Sequence, residues 1–393
     1  MDERAYQEHV ITLAQDLVRL VSLSGHEERV AQRLAQEMED LRFDAVHIDR
    51  VGNVVGRVGS GQPPILLFNG HMDTVDVGDP NAWRHDPFGG EIVDGYLYGR
   101  GAVDMKGPLA AMLYGAWLFA QRARGRESGT LYVVGVVQEE PREGAAMKVL
   151  VEEEGLRPDF VLLGEPSNFH VKRGHRGRVE IRVVTRGRAC HASTPAAGEN
   201  ALYAAARIIF GIELLAAHLP TDPVLGPGTV AVTHLESFAA SRNAIPDRAE
   251  LIIDRRLTLG ETEVKAVAEI QSIVQKEGIR ADVFVPEYEV ESYTQYPLRG
   301  REYYPAWLLP EDHPFLRKVV RGVERGLGAR PPVSTWGFST DGVYTMGEAG
   351  IPTVGFGPGQ EDLAHTADEH IPVRDLVRAV EAYAAIAHEV LQP

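Results

Sequence analysis

The chain has 393 residues, 44% of them hydrophobic and 24% charged, which fits a globular protein with room for two domains. Its formal charge of −16 excludes a nucleic-acid binder, whose partner's phosphates need a basic face. No apolar run approaches the roughly 18 residues that cross a bilayer, and Met1-Asp2-Glu3-Arg4 lacks a signal peptide's basic flank and apolar stretch, so the expected location is cytoplasmic with no membrane partner.

Residues 5–20 and 28–41 carry helical spacing, with Leu13, Leu17, Leu20 and Val21 as a buried stripe. Short apolar strands then alternate with helices: Ile65–Phe68, a helix opened by Pro108, Leu131–Val137, a helix near 145–154, and Phe160–Leu163. Proline suits a first helical turn because its missing N–H has no partner there. Strands without polar alternation, separated by helices, predict a sheet covered on both faces. From about residue 176 the pattern changes. Val179–Thr185 alternates apolar and polar residues, a helix follows at 200–217, and strands lie near Thr229–His234 and Glu250–Leu257. A helix at 262–277 and a strand at Ala281–Val285 complete a β-α-β-β-α-β order, the signature of a ferredoxin-like sheet. Tyr293–Pro310 reads as a crossing linker. The first pattern then resumes with a helix at 314–326, a strand at Thr353–Phe356 and a helix at 374–391. The expected fold is α/β: a doubly wound mixed sheet over 1–175 and 295–393, interrupted by a ferredoxin-like α+β domain over 176–294.

Acidic and histidine clusters stand where the apolar runs give way to glycine or proline. Ile65–Gly70 ends in His71 and Asp73; Asp104 lies in Gly101–Gly107; Glu139-Glu140-Pro141 follows Leu131–Val137; Gly164-Glu165-Pro166 follows Phe160–Leu163. His365 comes near the far end. Charged groups at the mouths of buried strands are costly unless something binds them, and sites in open α/β sheets lie beyond the strands' carboxyl ends, where all five clusters are expected. His71 and Asp73, two apart, point the same way if extended, so the carboxylate can orient the imidazole. Asp104 has two oxygens with which to bridge two cations, and Glu140 and Glu165 could each complete one ion's shell. Histidine and carboxylate without thiolate (Cys190 is the single cysteine) suit Zn²⁺, with Co²⁺ or Mn²⁺ as alternatives. Glu139, not needed as a ligand, is the natural general base. Singly, each cluster reads as a loop, a cap or a solvated face; the argument rests on their joint occurrence.

Together, His71-Met72-Asp73-Thr74-Val75, Gly99-Arg100-Gly101 with Asp104-Met105-Lys106-Gly107, Glu139-Glu140, Gly164-Glu165-Pro166 and His365 resemble the co-catalytic zinc aminoacylase/carboxypeptidase family. That family includes acetylornithine deacetylase, succinyl-diaminopimelate desuccinylase and glutamate carboxypeptidase. The resemblance implies that His71, Asp104, Glu140, Glu165 and His365 hold two divalent metal ions, with Asp104 bridging. Asp73 would support His71, Glu139 would activate the bridging water, and a cis peptide would follow Asp104. The inserted domain would be a lid through which two copies dimerise, with His191 reaching the partner's site to stabilise an oxyanion. Asn243 and Arg256 would hold a substrate carboxylate, and Arg256's neighbour Arg255 would be a surface charge. The Gly355–Gly359 loop, through Gly357, could present N–H groups to the same carboxylate, Thr340 and Asp341 would line the pocket, and His313 would start a helix. Further motifs, among them Arg173–Arg178 and Trp336–Gly342, look like the branch called selenium-metabolism-linked hydrolases. The expected activity is hydrolysis of an amide in a small carboxylate-bearing substrate, as an N-acyl-amino-acid deacylase. The alternatives are a dipeptidase or carboxypeptidase with the same centre and, remotely, an inactive metal-binding scaffold.

Overall fold

The apolar run at Ile65 forms a strand, Ile65–His71, buried along its whole length, as an absence of polar alternation requires. In the computed structural model, which describes residues 6–123 and 129–392, this strand sits mid-sheet. The Met1–Arg4 segment lies outside the described residues. Ile65–His71 runs parallel to Thr130–Val136 on one side and Phe160–Leu163 on the other. Thr353–Gly355 pairs parallel with Phe160–Leu163, and Val171–His175 lies antiparallel beyond it. Val54–Gly59 and then Ala45–Ile48 continue antiparallel from the opposite edge. The sheet is therefore mixed, with nine strands among the described residues. One core joins it to the flanking helices Tyr6–Arg19, Glu28–Asp40, Lys106–Ala123, Ala145–Glu152, Pro314–Leu327 and Val373–Leu391. Gly322 and Gly326 let the last two helices touch: a Cβ on either would stand 2.6 or 2.5 Å from a Cα of the facing helix. His313 caps the Pro314–Leu327 helix, its Nδ1 accepting from the Phe315 N–H at 3.2 Å.

A second, antiparallel sheet has the order Thr229–Phe238, Arg248–Leu257, Gly177–Arg186, Ala281–Phe284. In chain order that is second, third, first, fourth, the ferredoxin-like arrangement. Burial alternates residue by residue along Gly177–Arg186. The Ala201–Ala216 and Glu263–Lys276 helices close a separate core around Ile181, Ile208, Leu251 and Ile270. Arg255 is not the surface charge expected. It is fully buried beside Glu261 and 3.3 Å from Glu269.

The stretch Tyr293–Pro310 is likewise more ordered than a linker. Pro297–Arg301 forms a hairpin with Glu287–Glu291. Tyr303–Tyr304 pairs with Gly177–Arg186 in the lid, and Trp307–Leu308 with Val171–His175 in the large sheet. Strands of two residues show no periodicity, so no sequence pattern marks them. Among the described residues no helix is long and apolar enough to cross a membrane.

Candidate metal centre

Three of the five clusters stand at strand ends: His71 closes its strand, and Glu139-Glu140 and Glu165 follow Thr130–Val136 and Phe160–Leu163. The other two differ from that expectation. Asp104 precedes the Lys106–Ala123 helix, and His365 lies in a left-handed turn (φ 61°) ten residues after Thr353–Gly355. The fold nevertheless brings all five together. Asp104 divides its oxygens, Oδ1 lying 2.9 Å from His71 Nε2 and Oδ2 3.3 Å from His365 Nε2. Glu140 stands 3.0 Å from His365 Nε2, while Glu165 and Glu139 stand 3.8 and 4.0 Å from His71 Nε2.

Could these residues hold divalent ions? The donor atoms of His71, Glu139 and Glu165, and those of His71, Asp104 and Glu140, lie within 4.8 Å of one another. His71 donates from Nδ1 to the Asp73 carbonyl at 2.9 Å, which orients the ring and turns Nε2 toward the carboxylates. Burial, reinforced by Glu165, raises the Glu139 carboxyl well above its usual range. Burial likewise raises Glu165 and, with Asp104, Glu140. Asp104 and Glu140 push His365 up to about 10. Burial alone would raise Asp104, but hydrogen bonds from His365 and His71 hold it well below the carboxylate range. Metal binding displaces protons from such groups, so the donor set fits two divalent ions.

Asp73 stands against His71 with its main-chain carbonyl at 2.9 Å and its Oδ1 at 3.5 Å from Nδ1. Its carboxylate accepts the N–H groups of Glu139 at 3.1 Å and Glu140 at 3.2 Å, and the Ser24 hydroxyl at 2.6 Å. It therefore fastens the turn that carries both glutamates. Glu369, which the sequence did not single out, does the same for Asp104. Fully buried, it accepts the N–H groups of Gly101, Val103 and Asp104 and pairs with Arg100 at 2.7 Å. The Asp104–Met105 peptide is cis.

The centre opens into a cleft of about 330 Å³ whose other walls include Arg178, Arg256, Glu143, Phe338 and Ser339. Arg256 is thus at the cleft, held bidentately by Asp254 at 2.8 and 3.0 Å. Thr340 and Asp341 do not line it. They are buried behind the wall, where the Thr340 N–H meets His175 Nε2 at 3.3 Å and Asp341 accepts from Asn69 and Gly144. Gly357 cannot offer its N–H to a substrate, because Ser167 Oγ takes it at 2.9 Å. Its lack of a side chain matters instead: a Cβ there would stand 2.4 Å from the Glu165 carbonyl oxygen. His191 and Asn243 are exposed neighbours in the lid, linked by an Ala192 N–H to Asn243 carbonyl bond, and neither lines this cleft. Arg178, with Glu143 and Glu361, is among the cleft residues to which sequence reasoning gave no role. It lies opposite Arg256 on the adjacent strand, and only the register reveals that pairing.

Known proteins share this plan. The family model described as peptidase family M20/M25/M40 matches residues 67–389. The chain is 38% identical over 381 residues to the uncharacterized protein YgeY of Escherichia coli (strain K12), covering 97% of this chain and 94% of that one. It is 30% identical over 397 residues to a succinyl-diaminopimelate desuccinylase of Methylorubrum extorquens, covering 96% and 97%. In fold it is similar to the M20 family metallo-carboxypeptidase Sso-CP2 of Sulfolobus solfataricus, with a TM-score of 0.77 at 17% identity over 100% and 99% of the chains. A family match across most of the length, on a fold that gathers these donors around one cleft, makes the chain a metallohydrolase of peptidase family M20/M25/M40, acting on amide or peptide bonds.

Proposed function

We propose that the chain is an N-acyl-amino-acid deacylase. The observation that carries this reading is Asp104, shared between two histidine–glutamate sets at the floor of a cleft that Arg256 also lines. His71, Asp104 and Glu165 would hold one divalent ion and His365, Asp104 and Glu140 the second, Zn²⁺ by donor set, with Co²⁺ or Mn²⁺ as alternatives. Ions of this kind polarise a carbonyl and acidify water. Arg256 receives the substrate carboxylate by exchanging Asp254 for it, and Asn243, which lies beside His191 and off this cleft, joins it from a second copy. Glu139, its backbone pinned by Asp73, takes a proton from the attacking water and returns it to the leaving amine. His191 of a second copy steadies the oxyanion as it forms. The desuccinylase relative, which by its name removes an N-acyl group, supports deacylation.

The test is a panel of N-acetyl, N-succinyl and N-carbamoyl amino acids against dipeptides of the same carboxyl-terminal residue, with Zn²⁺, Co²⁺ or Mn²⁺ supplied. The acyl amino acids are expected to show the higher kcat/KM. A preference for dipeptides makes the chain a dipeptidase, and no hydrolysis with two ions bound makes it a scaffold.

Dimerisation through the lid has its own support. Thr229–Phe238 is an edge strand, and the neighbouring Ala201–Ala216 helix exposes Tyr203, Phe210 and Leu214, at 69, 65 and 71%, along one face. An apolar stripe beside an unpaired edge suits a second copy of the same surface. Phe210→Glu is expected to shift the protein from dimer to monomer in sedimentation and to lower activity, because His191 then has no partner site. A wild-type monomer with full activity would refute the shared site.

A further inference from the structure

We infer that Glu143 sets this cleft for substrates with a single carboxylate and a neutral acyl group, an inference that rests on the deacylase reading above. Two arginines face the cleft side by side, since Arg178 and Arg256 are register partners on adjacent lid strands. Such a pair looks built for a dicarboxylate, as an N-succinyl amino acid would be. Their existing partners decide otherwise.

Arg256 is paired with Asp254, two residues earlier on its own strand, and the two side chains are 31% and 30% exposed. A solvent-screened pair of that kind is worth little, so a substrate carboxylate can replace Asp254 at small cost. Arg178 is committed elsewhere. It lies 3.0 Å from Glu143, whose side chain is only 9% exposed, and its guanidinium stacks over the Tyr304 ring at 4.5 Å. The second oxygen of Glu143 accepts the Ser339 hydroxyl at 2.7 Å, which fixes the carboxylate in place. Drawing Arg178 away would leave Glu143 charged, largely buried and unpaired beside the carboxylates of the centre, an arrangement far costlier than breaking a surface pair. A second substrate carboxylate arriving here would also meet the negative charge of Glu143. On the rest of the wall, Phe338 is apolar and Glu361 is a further carboxylate, itself paired with Lys172 at 2.5 Å. One carboxylate is accommodated at Arg256. The acyl side takes a small neutral group such as acetyl, formyl or carbamoyl.

The experiment compares kcat/KM for N-acetyl and N-succinyl derivatives of one amino acid in the metal-loaded protein. The wild type is expected to favour the acetyl substrate by about 100-fold, as like charges placed across a binding surface reject a partner. Glu143→Gln frees Arg178 and should shrink that ratio by about tenfold or more, a scale typical of a changed pocket contact. Ser339→Ala should shift it the same way by less. Glu143→Gln combined with Arg178→Gln should lose the gain on the succinyl substrate, which a merely structural role for Glu143 would not produce. Taking a ratio cancels losses common to both substrates, and the wild-type ratio needs no variant. A wild type that prefers the succinyl substrate overturns the inference while leaving the amidohydrolase reading intact, as does a ratio unmoved by Glu143→Gln. Hydrolysis of neither substrate overturns the deacylase reading and with it the inference, while the amidohydrolase assignment stands.

Discussion

Glu139→Ala and Glu139→Gln are expected to bind two divalent ions yet turn over at least about 10²–10⁴-fold more slowly, the range general acid–base catalysis contributes. The side chain is buried, faces His71 at 4.0 Å and lines the cleft. Its main-chain N–H, not its carboxylate, ties it to Asp73, so the substitution removes a proton carrier without loosening the turn that positions Glu140. The loss should therefore fall on kcat, with KM little changed. Metal analysis after dialysis supplies the control. A variant that holds both ions and keeps near-normal kcat would sink the assignment of Glu139 as base, and loss of one ion would make Glu139 a ligand instead.

Asp104→Ala should abolish activity and release both ions together. Among the described residues Asp104 faces both histidines within 3.3 Å, one with each oxygen, whereas Glu140 stands 3.0 Å from His365 and Glu165 3.8 Å from His71. Glu140→Ala and Glu165→Ala should accordingly lose one ion each. The drop in affinity for Asp104→Ala should exceed the roughly 10–100-fold that follows loss of an outer-shell partner. Calorimetric titration with Zn²⁺ would show the wild type taking two equivalents and the variant none at comparable concentration. Tight retention of one equivalent by Asp104→Ala would refute a shared bridging ligand. Asp104→Asn, nearly identical in shape, separates loss of a ligand from loss of fold.

Much of the centre was legible because its residues sit at local landmarks. His71, Glu139, Glu140 and Glu165 each end an apolar run, and Asp104 lies between glycines ahead of a helix. The supporting residues were not legible. Glu369 holds Asp104 across 265 positions and Asp341 holds Asn69 across 272, and no periodicity marks a bond of that span. Gly357 misled for a related reason: a glycine-rich loop suggests free N–H groups, while the fold had assigned this one to Ser167. The lid was legible from its alternating strand and element order, but Arg255 was not. A run of polar residues in a strand does not say which face carries the buried ion pair.

Thr353–Gly355 sits between Phe160–Leu163 and Val171–His175, so a strand from the last quarter of the chain is threaded into the interior of the large sheet. This has a consequence for the order of events during synthesis. His71, Asp104, Glu139, Glu140 and Glu165 all leave the ribosome before the lid, and His365 only after it. Domains fold in the order they emerge, so the lid with its separate core can fold while the large sheet still has an open edge beside Phe160–Leu163. On the ligand assignment proposed above, a nascent chain at that stage would hold a half-centre, with His71 but not His365. Closing the sheet with Thr353–Gly355 brings in His365, and a chain cut short anywhere in the lid is left without a hydrolytic centre.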